Sequence, residues 1–333
     1  MTMEPDVFLE PWRTPAVFYH DEDICSLVAR MAAMGAMSVR DFVVRYLGQK
    51  ELDPAHLPFN LTAVTRLAIL SGNPLEDLLA NAIGGTSEAP GDIRHRGLFR
   101  GVKMHQAWIG TQKRIAPGKL LADGDDPYVR LAWRFPALPC DIETGEMLVT
   151  RCPRCVEQLR WEATEVAFCH SCRFDLRQAR QAYADGETLQ ATRTLAGPLG
   201  LGEKALAGQP LDLPPPFGDL TLEQQVKVLG WCAQLDGMLR RTGTSSSFLN
   251  AVVGLRVAQQ WPQAMSELVI LTARQSWETD EKALLVLPHL VKTLQVGELK
   301  KSILPQAIEL MRLAIKDRGK PPSTGRPAQY VDI

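Results

Sequence analysis

No run of about eighteen apolar residues occurs anywhere in this 333-residue chain. That is the length a helix needs to cross a hydrocarbon core, so no membrane-spanning helix is expected. There is no excess of charge either: 37 Lys and Arg stand against 38 Asp and Glu, a net charge of −1. So even a balance gives no global attraction to nucleic acid or to a membrane surface, and any such contact must come from a local patch. A GxxxxGK phosphate loop, a Gly-x-Ser-x-Gly elbow and an HExxH pair are all missing. Acidic residues are scattered without a clear pair for general acid/base work. Asp123, Asp125 and Asp126 cluster in one loop, where a cation is one reading and a polar turn the other; the ligand spacing of a calcium loop does not follow. Enzymatic activity is therefore not expected. The first ten residues carry Glu4 and Asp6 and no basic residue ahead of an apolar run, which is not the pattern of a signal peptide. Cysteine is scarce, seven in all, and a chain so composed suits a reducing cytoplasm.

Four of those cysteines are the most informative residues present. Cys152-Pro153-Arg154-Cys155 is followed by thirteen residues and then by Cys169-His170-Ser171-Cys172. A two-residue gap lets both thiolates of a knuckle point at one ion, and two knuckles complete a tetrahedral shell for zinc. Pro153 and Ser171 both favour the turn each knuckle needs. Disulfides or four unrelated buried thiols are the competing readings. Four thiolates leave no open position for water or substrate, so one structural zinc per chain is expected, not a catalytic one. His170 inside the second knuckle is a surplus donor. Cys25 and Cys232 sit in apolar helical surroundings and read as core residues.

The rest of the chain reads as mainly helical. Four short helices are expected in two pairs: 22–34 with 38–47, and 60–70 with 74–83. Ser38-Val39-Arg40-Asp41 resembles a capping box, and Asn73 and Pro74 suit the start of the fourth helix. A helix, a glycine turn and a second helix is the outline of a helix-turn-helix. Two helical hairpins that merely pack together give the same pattern, so both readings stay open. Arg40 and Arg45 are the only cations that the second helix would offer to DNA, and Glu76 and Asp77 at the start of the fourth would repel a phosphate backbone.

Glycines 84, 85, 91, 97, 101 and 110 then break the helical pattern into loops and short strands. Residues 91–120 hold seven cations (Arg94, Arg96, Arg100, Lys103, Lys113, Arg114 and Lys119) against the single acid Asp92. This basic window is either a solvated surface or a contact for phosphate or an acidic partner. His105 and Trp108 are the aromatic groups beside it that could stack on bases. A strand over Val166-Ala167-Phe168 is expected to run into the second knuckle. Pro214-Pro215-Pro216 marks a boundary. Beyond it Thr221 should cap a helix with Leu222, Val226, Leu229 and Ala233 on one face. Further helices are expected over 247–260, 262–275, 280–287 and 305–316, with Pro288 dividing its segment. The organisation that follows is an N-terminal helix-turn-helix-like domain (1–88), a central four-cysteine zinc-ribbon region with short strands (89–180), a linker (181–219), a C-terminal helical domain (220–318) and a loose tail (319–333).

Several landmarks fall in one order: Pro11-Trp12-Arg13-Thr14-Pro15, then Asp21-Glu22-Asp23-Ile24-Cys25-Ser26-Leu27-Val28-Ala29-Arg30-Met31-Ala32, then Asp126-Pro127-Tyr128-Val129-Arg130-Leu131-Ala132-Trp133, then Cys152-Pro153-Arg154-Cys155. In this order the chain resembles the TniQ family of transposition proteins over roughly residues 10–177. The resemblance implies a target-selection adaptor in transposons related to the Tn-seven type. Such a protein links a targeting module, in some systems an RNA-guided Cascade-like complex on which it sits as a dimer, to the AAA+ ATPase that recruits the transposase. DNA would then be met in the assembled complex. Other members recognise DNA more directly, and a DNA-reading protein or a zinc-ribbon transcriptional regulator is the alternative. The candidates for contact with nucleic acid or an acidic partner are Arg40, Arg45, Arg94, Arg96, Arg100, Lys103, Lys113 and Arg114.

The resemblance also marks a departure. Proteins of that family carry an earlier zinc site made of a CPxC knuckle and a later Cys-x-x-His. Here the matching stretches read Ala116-Pro117-Gly118-Lys119 and Cys140-Asp141-Ile142-Glu143. One surviving sulfur cannot hold zinc, so this site is expected to be lost, with Trp133, Phe135 and Leu138 packing in its place.

Overall fold

The computed structural model describes residues 15–85, 96–100, 102–105, 109–163, 165–201, 210–239, 251–261, 263 and 309. The fold is mainly α with few strands. The described residues divide into two compact units. The first takes those within Met1–Asp212, Gly218–Val226 and Phe248–Val252, the second those within Leu213–Phe217, Lys227–Ser247 and Val253–Ile333. The segments on either side of position 88 thus share one unit. Among the described residues no helix is long and apolar enough to cross a membrane.

In the first unit, α1 (Ile24–Met34) begins where the Asp23 carboxylate accepts the Cys25 amide at 2.7 Å, and every residue from Ile24 to Ala32 is buried. A helix buried on all sides belongs to a core. Helix α2 (Val39–Arg45) is capped as the sequence suggests: Ser38 Oγ accepts the Asp41 amide at 3.0 Å. The reciprocal partner differs, because the Asp41 carboxylate accepts the Ser38 hydroxyl at 2.7 Å. A 3-10 turn (Pro54–Phe59) precedes α3 (Leu61–Ser71), which Gly72 ends in the left-handed conformation at φ 71°. Asn73 does not cap α4 (Leu75–Asn81), which starts without a side-chain cap. Its amide group instead clamps the preceding stretch of chain, accepting from Phe18 N and donating to Ala16 O. A small antiparallel sheet follows, β1 (Gly84–Gly85), β2 (Arg96–Phe99) and β3 (Val102–His105), in that order. After it come α5 (Pro117–Ala122), a 3-10 turn (Leu131–Arg134), a second (Leu176–Gln178), and α6 (Gly186–Ala196).

The start of α1 meets the segment 123–134 through a polar seam. Glu22 and Arg130 form an antiparallel bridge, Asp23 N donates to Val129 O at 2.9 Å, and Leu131 N donates to Asp21 O at 2.6 Å. Three arginines lock the seam. Arg134, 1% exposed at its side chain, meets both oxygens of the fully buried Asp23 and also donates to the Ala55 and Gly110 carbonyls and to the Cys25 sulfur. Arg30 joins Glu22 at 2.8 Å and Asp126 through two nitrogens of its fork. Arg130 grips Asp123. Two rings complete the column: Tyr19 and Tyr128 stack at 4.3 Å, with Arg30 over the first and Arg130 over the second. Asp123 and Asp126 are therefore held by arginines; the polar-turn reading of that acidic loop replaces the cation reading. Burial pushes the Glu22 carboxyl up to about 7, against the pull of Arg30 and of the Ser26 hydroxyl.

Helix α7 (Leu222–Leu239) starts at the expected cap, where Thr221 Oγ1 accepts Gln224 N and Gln224 Oε1 accepts Thr221 N. In the second unit α8 (Ala251–Gln259) crosses α7 closely: a Cβ at Gly254 would fall 2.0 Å from the Leu229 carbonyl oxygen. Trp261 there packs edge-on against Phe217 at 5.1 Å. Cys25 and Cys232 are buried, as expected of core thiols. The helices expected over 262–275, 280–287 and 305–316, Pro288 and the tail lie outside the described residues, save the isolated positions 263 and 309.

Removing one member of a fully buried ion pair leaves the other charge uncompensated. Asp23→Ala should therefore cost about 3–5 kcal/mol of unfolding free energy. Asp126→Ala, at a carboxylate that is 55% exposed, should cost no more than about 1 kcal/mol. Urea unfolding of the two variants checks the contrast.

Candidate metal centre

The two Cys-x-x-Cys segments fold into hairpins of one design. In the first, Leu159 N donates to Thr150 O, Arg151 bridges Gln158, Cys152 N donates to Glu157 O and Val156 N donates to Cys152 O. Every one of these is repeated seventeen residues on, from Cys152 to Cys169: Leu176 N to Ala167 O, Phe168 against Asp175, Cys169 N to Phe174 O and Arg173 N to Cys169 O. The strand expected over 166–168 is accordingly reduced to a single bridge at Phe168. Leu159 and Leu176 anchor the hairpins in the core at 1% and 0% exposure. The residue after each second cysteine, Val156 or Arg173, sits at φ 64° or 58°. This left-handed turn favours glycine, so both side chains are held there at some steric cost.

The hairpins bring all four sulfurs within 4.8 Å of one another. Cys152 Sγ lies 3.6 Å from Cys172 Sγ, and Cys155 Sγ lies 3.8 Å from Cys169 Sγ. Both gaps exclude a disulfide, whose sulfurs sit about 2.05 Å apart. They match the edge of a tetrahedron whose centre is about 2.3 Å from each sulfur, roughly 3.8 Å. All four thiols are free, and the cluster could hold one metal ion. Among the described residues it is the only such group. Burial pushes the Cys152 thiol up to about 12, while the amides of Cys155 and Arg154 oppose this by donating to its sulfur. Metal uptake at such a site displaces protons. His170 stays outside the cluster; its Nδ1 is buried without a hydrogen-bond partner among the described residues.

A third hairpin of the same design precedes these two, and the sequence did not reveal it. Asp141 N donates to Glu146 O, Gly145 N to Asp141 O and Leu148 N to Pro139 O, with Cys140 bridging Met147. The register puts Asp141 and Thr144 where the two cysteine hairpins have their cysteines, and Gly145, at φ 75°, where they have Val156 and Arg173. The stretch expected to match Cys-x-x-His is thus displaced by one residue. Asp141 Oδ1 accepts from Glu143 N, Thr144 N and the Thr144 hydroxyl, while Oδ2 accepts from Trp133 Nε1 at 2.8 Å. One carboxylate closes this knuckle by hydrogen bonds. Helix α6 covers it: Arg193 donates to the Ile142 and Glu143 carbonyls, and the Cys140 thiol donates to Thr192 Oγ1. The stretch 116–119 opens α5, whose Gly118 and Lys119 amides donate to the buried Glu146 carboxylate. Lys119 and Glu143 form an ion pair. Trp133, Phe135 and Leu138 are all buried, but polar closure accompanies the packing expected of them.

The basic window is corrected at three positions. Lys113 is 2% exposed and donates to Val166 O; Arg114 is 8% exposed and its fork donates to the Phe135 and Leu138 carbonyls. Arg100 directs its guanidinium at Ala80 O, Asn81 Oδ1 and Gly200 O. These three cations satisfy internal oxygen acceptors and present no surface patch. Arg40 and Arg45 are exposed on α2. The side chains of Arg94, Arg96, Lys103, His105 and Trp108 lie outside the described residues. No protein-family model matches the chain, and no curated protein matches it.

If hydrogen bonding alone closes the third knuckle, Asp141→Ala strands the Trp133 N–H and two amides in a buried site. That should cost about 2–4 kcal/mol and leave the metal content of the protein unchanged, read by thermal melting alongside elemental analysis.

Proposed function

We propose that this chain is a non-enzymatic adaptor of transposition that links a target-selection complex to an AAA+ ATPase, built around one structural zinc. The observation that carries the reading is the pairing of its landmarks. The two longest segments by which the chain resembles TniQ proteins, 21–32 and 126–133, are the two sides of the arginine-locked seam. Residues far apart in sequence and bound to each other this way are ones that a family would be recognised by. A further landmark, Cys152 to Cys155, opens the first metal knuckle.

For the ion, the chemistry of the donor set favours zinc: four thiolates in a closed tetrahedral shell suit a d¹⁰ cation that needs no open position. Cys152, Cys155, Cys169 and Cys172 would hold it, and it would supply folding free energy on the order of 10 kcal/mol. Elemental analysis should find one zinc per chain. Cys152→Ser or Cys169→Ser should lose it and unfold the middle of the protein. Unchanged melting in those variants would remove the structural role.

Adaptor and direct DNA reader differ in what the isolated chain does with DNA. With Lys113, Arg114 and Arg100 turned inward, three of the eight candidate contacts are withdrawn from phosphate. Fluorescence anisotropy with duplexes of about 30 base pairs should give only weak binding, no tighter than about 10⁻⁶ M at physiological salt and insensitive to sequence. A nanomolar, sequence-specific complex would decide for the DNA reader. Arg40 and Arg45, exposed on α2, would then be the first residues to replace.

A further inference from the structure

Lys113 is the one buried lysine among the described residues, and its surroundings do not explain it. Its ammonium carries three donors but makes a single hydrogen bond, to Val166 O at 2.7 Å, three residues before Cys169. Its other contact is the face of Trp161, 5.9 Å from the ring centroid. No carboxylate pairs with it among the described residues. The backbone fixes it there: Ile115 exchanges hydrogen bonds with Val149, Gln112 Nε2 donates to Thr150 O, and Trp161 Nε1 donates to Thr111 O. These bonds lay residues 111–115 along the first metal hairpin. Left alone, a buried ammonium is costly, and burial does lower the Lys113 pKa to about 8; the one charge acting the other way is Cys169.

A candidate for the missing partner is the metal centre, because the one acceptor of the Lys113 ammonium, Val166 O, lies three residues before Cys169. Four thiolates around a divalent ion leave a net double negative charge. The arginines around the hairpins are poorly placed to offset it. Arg173 is half-exposed and paired with Glu165, Arg177 is held by Asp175, and Arg154 is exposed. Charges at the surface are screened, whereas a cation in the low-dielectric interior acts at nearly full strength. We propose that Lys113 is the built-in counter-cation of the metal-loaded tetrathiolate and sets its affinity for the ion. It is a positioning residue, not a ligand, and the proposal rests on the zinc reading above.

The test is zinc affinity of the full chain by competition with a chromophoric chelator, for the wild type and for Lys113→Met, Lys113→Gln and Lys113→Arg. The neutral variants should bind zinc about 10–100-fold more weakly, the range typical for groups that support metal ligands from outside the shell. Lys113→Arg should stay close to the wild type, and Arg154→Met, at a surface cation, should change affinity by less than about threefold. Neutral variants that bind zinc as tightly as the wild type overturn the proposal, as does failure of all three variants to fold with zinc present. If only Lys113→Arg folds, the charge requirement stands. A wild-type chain that binds no zinc would instead sink the metal reading on which this one depends.

Discussion

Arg134 holds the first unit together. Its guanidinium is almost wholly out of water, and it reaches three separate segments: the Asp23 carboxylate and Cys25 sulfur at the start of α1, the Ala55 carbonyl, and the Gly110 carbonyl. A planar fork with five donors is the one side chain that can do this. Losing a partner of a buried charge costs several kcal/mol, so the placement of each of those segments favours that of the others. Arg134 also lies over Trp161, 5.5 Å from the ring centroid, on which Lys113 also rests. The helical pairs, the seam and the metal hairpins are thus joined through one aromatic ring and two buried cations.

The hairpins show that a knuckle is first of all a backbone shape. Three stretches adopt it with the same hydrogen bonds, and they differ in what closes the tip. Two use thiolates, which repel one another unless a cation stands between them. The third uses Asp141, which accepts from its own loop's amides and from the Thr144 hydroxyl and so needs no ion. The left-handed position after the tip follows the same division. Gly145 accepts it freely, whereas Val156 and Arg173 are held there against their preference. Strain of that kind persists where something stronger fixes the loop, and an ion held by both cysteines of a knuckle would be strong enough.

Much of this was legible in the sequence. The Cys-x-x-Cys pairs announced the centre because thiolate chemistry demands a fixed spacing. The helix starts at Ser38 and Thr221 were legible because capping is local. What escaped was whatever depends on distant partners. Asn73 has the look of a cap, but it serves the chain at Ala16 and Phe18 instead. The third knuckle carries no cysteine at its tip positions 141 and 144; Cys140 lies one position before them. Lys113 and Arg114 read as surface because lysine and arginine are rarely buried; only the carbonyls of Val166, Phe135 and Leu138 show why these two are.

Arg30, Arg100, Arg114, Arg130 and Arg134 are committed to the protein's own carbonyls and carboxylates, while Arg40, Arg45, Arg151, Arg154, Arg160 and Arg180 stay exposed. What these internal bonds secure is a first unit in which helices, seam and knuckles share buried partners, so that displacing one of them leaves charges of another unpaired.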